Sequence, residues 1–164
     1  GVVDTCDRFA LNGVGDYALS CSPTLVSVDL SQVASLRYVG AYAFRACPAL
    51  EAVMFPRSLE EMNEGVLSEC PSLVSVHLRA CVSLRHIGDW AFHSCPALES
   101  VQLPLGLEEL GDGVLRRCSK LVNVDLSACG SLRRIGDGVL MSCKALERVH
   151  LPPGIEEVGK ETLA

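Results

Sequence analysis

The sequence predicts an α/β solenoid of about six turns, a single domain over residues 1–164, and three observations carry that prediction. A phrase of the form (Leu/Ile)-x-x-(Ile/Val/Leu/Met)-Gly ends at Gly15, Gly40, Gly88, Gly111, Gly136 and Gly159, with Asn63 standing in once, and the steps between these marks are 25, 23, 25, 23, 25 and 23 residues. A second phrase, Leu-x-x-Val-x-Leu, opens between them at Leu25, Leu50, Leu73, Leu98, Leu121 and Leu146, closing on Phe55 in its second copy. The two kinds of turn also differ in charge. Longer turns read Ser-Leu-Arg (Leu36, Leu84, Leu132) and shorter ones Leu-Glu-Glu or Ile-Glu-Glu (Leu59, Leu107, Ile155), so the true unit is 48 residues. Residues 70–116 and 118–164 agree at 26 of 47 positions, and the differences fall mainly where solvent is expected.

Each element follows from this pattern. Val28 and Leu30 alternate with Ser27 and Asp29, which predicts a strand with one buried side. One such strand cannot bury that side alone, whereas stacking successive turns at about 4.8 Å makes a parallel sheet and a continuous core. The Leu-x-x-Ile-Gly phrase predicts a second short strand. The residues after it, such as Asp89 to Cys95, predict short helices returning the chain on the opposite side, with Gly88 taking positive φ at the corner and Asp89 capping the helix. Residues 1–10 do not fit the motif and predict a degenerate turn or cap. At the other end Leu163 re-enters the core column of Leu19, Phe44, Leu67, Phe92, Leu115 and Leu140, which predicts truncation in mid-repeat and self-association through a bare apolar edge.

With 49% hydrophobic but only 5% aromatic residues, the core must be mostly Leu, Val and Ala. A net charge of −6 argues against a nucleic-acid partner, which needs clustered uncompensated Lys and Arg. No apolar run approaches the ~20 residues of a membrane span, so no membrane insertion is expected.

A period in the low twenties with Leu-x-x-Val-x-Leu marks a leucine-rich-repeat solenoid, a parallel sheet with short helices opposite. The stretch Ile87-Gly-Asp-Trp-Ala-Phe-His-Ser-Cys-Pro-Ala-Leu-Glu-Ser-Val-Gln-Leu-Pro104 is more specific. It resembles the BspA-like, or Treponema-type, leucine-rich repeat, whose theme is I-G-x-x-A-F-x-x-C-x-x-L-x-x-I-x-L-P, over roughly residues 11–164. The resemblance implies binding or adhesion rather than catalysis, often at a cell surface. The longer turns depart from the theme, replacing the strand-ending Pro56, Pro104 and Pro152 with Ser31, Arg79 and Ser127.

In-register stacking predicts a column of alternating sign, Arg37, Glu60, Arg85, Glu108, Arg133 and Glu156, in which each interior cation lies between two carboxylates. Beside it runs a less regular column, Tyr38, Glu61, His86, Glu109, Arg134 and Glu157. A slip of one turn would oppose like charges, so the alternation guards register. Cys47, Cys70, Cys95, Cys118 and Cys143 form a third column. Parallel-stacked side chains point the same way, so buried free thiols are expected rather than disulfides or a metal site. Cys81 and Cys129 lie two strand spacings apart, about 9.6 Å, too far to bridge.

No cofactor or metal is expected, because the histidines form no ligand set and the Glu pairs recur with the fold instead of occurring once, as a catalytic constellation would. The expected function is non-enzymatic recognition of a protein partner through the exposed strand positions Ser27, Asp29, Met54, His77, Gln102, Asn123, Asp125, Arg148 and His150, with Ala52, Ser75 and Ser100 beside them. The alternative is a structural spacer in a longer repeat array; a third reading is a redox- or metal-responsive thiol column. Tyr17, Tyr42 and Trp90 share the second position after the corner, where other turns carry Gly65, Gly113 and Gly138; they mark either an aromatic contact patch or partial core packing. Free thiols and the absence of any Asn-x-Ser/Thr favour the cytoplasm. The family resemblance favours the cell surface instead.

Overall fold

The computed structural model describes residues 2–4 and 11–163. Each turn contributes two strands. The odd-numbered strands have three residues: β1 (Val2–Asp4), β3 (Ser27–Asp29), β5 (Ala52–Met54), β7 (Ser75–His77), β9 (Ser100–Gln102), β11 (Asn123–Asp125) and β13 (Arg148–His150). The even-numbered strands have two: β2 (Gly13–Val14), β4 (Tyr38–Val39), β6 (Glu61–Met62), β8 (His86–Ile87), β10 (Glu109–Leu110), β12 (Arg134–Ile135) and β14 (Glu157–Val158). The even strands form one unbroken parallel sheet of seven, as the Leu-x-x-Ile-Gly phrase predicts. The odd strands form a parallel sheet of five, β1 to β9, and a pair, β11 and β13. The expected cap over residues 1–10 falls mostly outside the described residues, although Val2–Asp4 extends the odd-strand sheet by pairing with β3.

The odd-strand sheet gives the 48-residue unit a physical meaning. From a long turn to the short turn after it, β3 to β5, β7 to β9 and β11 to β13, three residues pair in register. From a short turn to the next long one the pairing shrinks to Met54 with His77, and β9 and β11 share none. An arginine closes each unit from the other side. Arg133 Nη1 donates to Gly154 O at 2.9 Å, Arg37 Nη1 reaches Ser58 O at 3.5 Å, and the Arg85 guanidinium occupies the space a Cβ on Gly106 would need. The long-turn arginine thus lies over the loop of the following short turn.

The short helices expected opposite the odd strands are not present among the described residues; that segment is a run of tight turns. The cause is backbone conformation. Two and six residues after each corner the chain is left-handed, with φ of 55–64° at Tyr17, Cys21, Tyr42, Ala46, Glu69, Trp90, Ser94, Arg117, Ser142 and Glu161, and 60–62° at Gly65, Gly113 and Gly138. A left-handed residue ends an α-helix. Amides there cross to the next turn instead of bonding within their own: Tyr42 N donates to Glu64 O at 2.8 Å, Phe44 N to Val66 O at 2.9 Å and Ala46 N to Ser68 O at 2.9 Å. The corner aspartates serve the same axis. Asp89 Oδ1 accepts from Asp112 N, Asp112 Oδ1 from Asp137 N, and neither caps a helix. Gly88 and Gly111 do not supply positive φ; a Cβ on either would lie 2.5–2.9 Å from the backbone of the preceding corner, so glycine is there for close approach.

The core is a stack of layers. Leu25, Leu50, Leu73, Leu98 and Leu121 are buried in one column, Val28, Val53, Val76 and Val124 in a second, and Phe44 and Phe92 are fully enclosed beneath the turns.

Candidate functional site

The odd strands bring the predicted site residues together on one face. Asp29, Met54, His77 and Gln102 follow one another in register, as do Asp125 and His150. Beside them run Ser27, Ala52 and then Ser75, Ser100, with Asn123 opposite Arg148. Their side chains alternate with the buried valines, so the sheet holds them outward at strand spacing. Not all of them are free. Asp29 and Asp125 each accept the amide of the serine two residues on at 2.9 Å, bonds that shape the longer loop; hydrogen bonding to Ser127 also holds the Asp125 carboxyl below its usual range. Ser75 Oγ lies 3.0 Å from His77 Nε2. Met54 and Gln102, on either side of His77, are exposed and form the open middle of the face.

Sequence reasoning missed a column at the entry to these strands. Val26, Val74 and Val122 are 36–42% exposed, where an apolar side chain gains nothing from solvent. They alternate with Glu51, Glu99 and Glu147, and backbone bonds such as Glu51 N to Val26 O link the column. The signal was present as Leu-Val in every long turn against Leu-Glu in every short one.

The two charge columns exchange roles. In the column expected to be continuous, Arg37 pairs with Glu60 at 3.3 Å, Arg85 with Glu108 at 3.7 Å and Arg133 with Glu156 at 3.4 Å, and among the described residues no ion pair joins Glu60 to Arg85 or Glu108 to Arg133. Each guanidinium leans toward the next loop and so reaches one carboxylate. The column expected to be weaker carries the chain of contacts: His86 lies 3.6 Å from Glu109, Glu109 also pairs with Arg134, and Arg134 reaches Glu157 at 3.4 Å.

The cysteine column is built into the backbone. Sγ of Cys47, Cys70, Cys95, Cys118 and Cys143 each donates to a carbonyl of the preceding turn, that of Leu19, Phe44, Leu67, Phe92 and Leu115, at 3.1–3.3 Å. Burial pushes Cys70 and Cys118 up to about 12 and Cys81 to about 11, so these thiols stay protonated and unreactive at neutral pH. Among the described residues no cluster of His, Cys, Asp and Glu is placed to hold a metal ion, and no helix is long and apolar enough to cross a membrane.

On the turn face, opposite, Tyr17 stacks on Tyr42 with ring centroids 5.2 Å apart, and Trp90 meets His93 edge to face at 5.2 Å. Arg45 lies 5.6 Å over the Tyr42 ring and Arg116 5.6 Å over Trp90. Tyr42 and Trp90 are half-buried and Tyr17 is exposed. They rest on the outside of the turns, while Phe44 and Phe92, two residues further on, fill the core.

Comparison with known proteins agrees with this architecture. A family model for the BspA type leucine rich repeat region matches six copies, over residues 8–83 and 80–164. The crystal structure of a T. pallidum leucine rich repeat protein superposes with a TM-score of 0.84 at 29% identity, covering 96% of this chain and 72% of that one. A leucine-rich repeat protein from Bacteroides ovatus gives a TM-score of 0.57 at 19% identity, over 94% of this chain and 56% of that one, a likeness of fold alone. No curated protein matches the sequence significantly.

Proposed function

Since the chain belongs to the BspA-type leucine-rich-repeat family, we propose that it is a non-enzymatic recognition module that holds a protein partner, for binding or adhesion, against the odd-strand face. The observation that supports this most is the in-register run Met54, His77 and Gln102, exposed on a backbone already fixed by inter-turn hydrogen bonds. A preformed surface loses little freedom on binding, so modest side chains suffice. The flanking Val26 and Val74 add apolar area at the edge of that run. Ser27, Asp29, Asn123, Asp125, Arg148 and His150 extend the surface along the solenoid.

Photo-crosslinking tests this reading. A photoreactive residue at Met54 or Gln102 should capture a protein partner, and the same residue at Val82 or Arg45 should not. Equal capture from both sets would overturn the strand-face assignment.

A second reading, a spacer within a longer array, is favoured by the closed 48-residue units, each clipped by its own arginine. A spacer needs no crosslinking hot spot at all.

A further inference from the structure

The turn face carries large aromatic side chains at a backbone position that disfavours them. Tyr17, Tyr42 and Trp90 have φ of 56°, 56° and 60°, the equivalent residues of three other turns are Gly65, Gly113 and Gly138 at 60–62°, and that of the last described turn is Glu161 at 55°. Glycine adopts this conformation freely and an L side chain does not. The glycines also make room for the rings. A Cβ on Gly65 would lie 2.3 Å from the Tyr42 ring, and one on Gly113 2.7 Å from Trp90. Where a glycine follows an aromatic, as Gly65 follows Tyr42 and Gly113 follows Trp90, the ring therefore lies against the next turn.

Between Tyr42 and Trp90 this leaves a cleft of about 350 Å³, walled by Arg45, Glu64, Glu69 and His93. Its charged side chains are already engaged. Arg45 pairs with Glu69 at 3.0 Å, Glu64 accepts the Tyr42 hydroxyl, and Arg116 covers Trp90. Burial, with Arg117 and Arg116 nearby, lowers the pKa of His93 and keeps the ring neutral at pH 7. A cation entering beside Glu69 would compete with Arg45, which already pairs with it; an anion beside Arg45 would meet both carboxylates. The ligand that suits such a site is neutral, rich in hydroxyls that take the open donors and acceptors, and apolar on the side that meets the rings. The volume lies at the small end of the roughly 300–1,000 Å³ of small-molecule sites.

We propose that the cleft between Tyr42 and Trp90 is a carbohydrate-binding site for a neutral pyranose, whose C–H face packs on the aromatic wall while Glu64, Glu69, Arg45 and His93 share its hydroxyls. It lies on the turn face, apart from the odd strands, so it stands or falls independently of the strand-face reading.

Trp90 is the single tryptophan of the chain, so its emission reports on this cleft alone. The whole chain is titrated with the methyl β-glycosides of glucose, galactose, mannose and N-acetylglucosamine and with their short oligomers. At least one should change the emission saturably, with an affinity that does not move as salt rises to about 0.5 M. Glu64→Gln, which leaves the rings in place, should weaken binding about tenfold or more. Trp90→Gly should abolish binding read by calorimetry while unfolding as cooperatively as the parent, because Gly113 and Gly138 hold that backbone already. The proposal is overturned if no glycoside saturates, if Trp90→Gly binds as the parent does, or if only an arginine- or lysine-containing peptide saturates and does so in a salt-sensitive way. Should Trp90→Gly fail to fold, the Glu64→Gln titration decides alone.

Discussion

The odd-strand face and the turn face are built from the same 48-residue unit, yet they treat side chains differently. On the strand face every position keeps its conformation from turn to turn and only the chemistry of the outward residue drifts, as in Asp29, Met54, His77 and Gln102. On the turn face the same left-handed position holds glycine in three turns, Tyr17, Tyr42 and Trp90 in three others and Glu161 in the last described one. The first is a surface the fold supplies whatever it displays. The second is a local departure that the fold would be easier without, and such departures are where a function beyond folding leaves its mark.

The sharpest contrast is between core and face. Phe92→Ala, beneath the turns and fully buried, should destabilise by about 3–5 kcal/mol. His77→Ala on the strand face should stay within about 0.5 kcal/mol of the parent in the same urea titration. A large loss at His77 would mean that the strand face is structural and not a free surface.

Alkaline pH probes the buried thiols of the core. Buried Cys70, Cys81 and Cys118 hold protons that the unfolded chain would release. Their contribution is fully present below the ordinary thiol value of about 8.5 and is lost as pH climbs toward about 11–12, at up to about 1.4 kcal/mol per pH unit for each thiol. Denaturation midpoints measured across that window should fall steeply. A flat profile would show that the thiols are reached by water.

Most of this architecture is legible in the sequence, because stacking forces each buried column to repeat at the 23- and 25-residue steps. The second strand, the charge columns and the cysteine column all follow from that register. The helices did not materialise because Asp89-Trp-Ala-Phe reads locally as a helix start, while the decisive signal lay across turns. Glycine recurs at the position shared by Gly65, Gly113 and Gly138, which marks a left-handed residue. The second left-handed position, held by Cys21, Ala46, Glu69, Ser94, Arg117 and Ser142, contains no glycine and leaves no signal. Nor could pattern alone say which charge column is continuous, since that depends on Arg85 and Arg133 leaning over the next loop. The strand-face residues share a face by register, but that Asp29 and Asp125 are tied to their own loops is visible only in the structure.

Two smaller effects sharpen the comparison of faces. Gly113→Ala must adopt φ near 62° and meet the Trp90 ring, and should cost about 1–2 kcal/mol, whereas Gly106→Ala displaces only the end of Arg85 and should cost less. Equal losses by thermal denaturation would remove the argument that the turn face demands glycine. In the charge columns, Glu109→Gln removes two partners and Glu60→Gln one. The former should lower the melting temperature more, and about 0.5 M salt should erase the difference. A salt-independent gap would mean that the column acts through packing.

The central claim is that the turn-face aromatics are carried against the preference of the backbone and not for the sake of the core. Urea unfolding of Trp90→Gly tests it most directly. Replacing a half-buried ring forfeits apolar contact worth about 1–2 kcal/mol, while relief of the left-handed strain returns a similar amount, so the predicted stability lies within about 1 kcal/mol of the parent. A loss of about 3 kcal/mol or more, the cost expected for emptying a core position such as that of Phe92, would contradict the account and make Trp90 part of the packing.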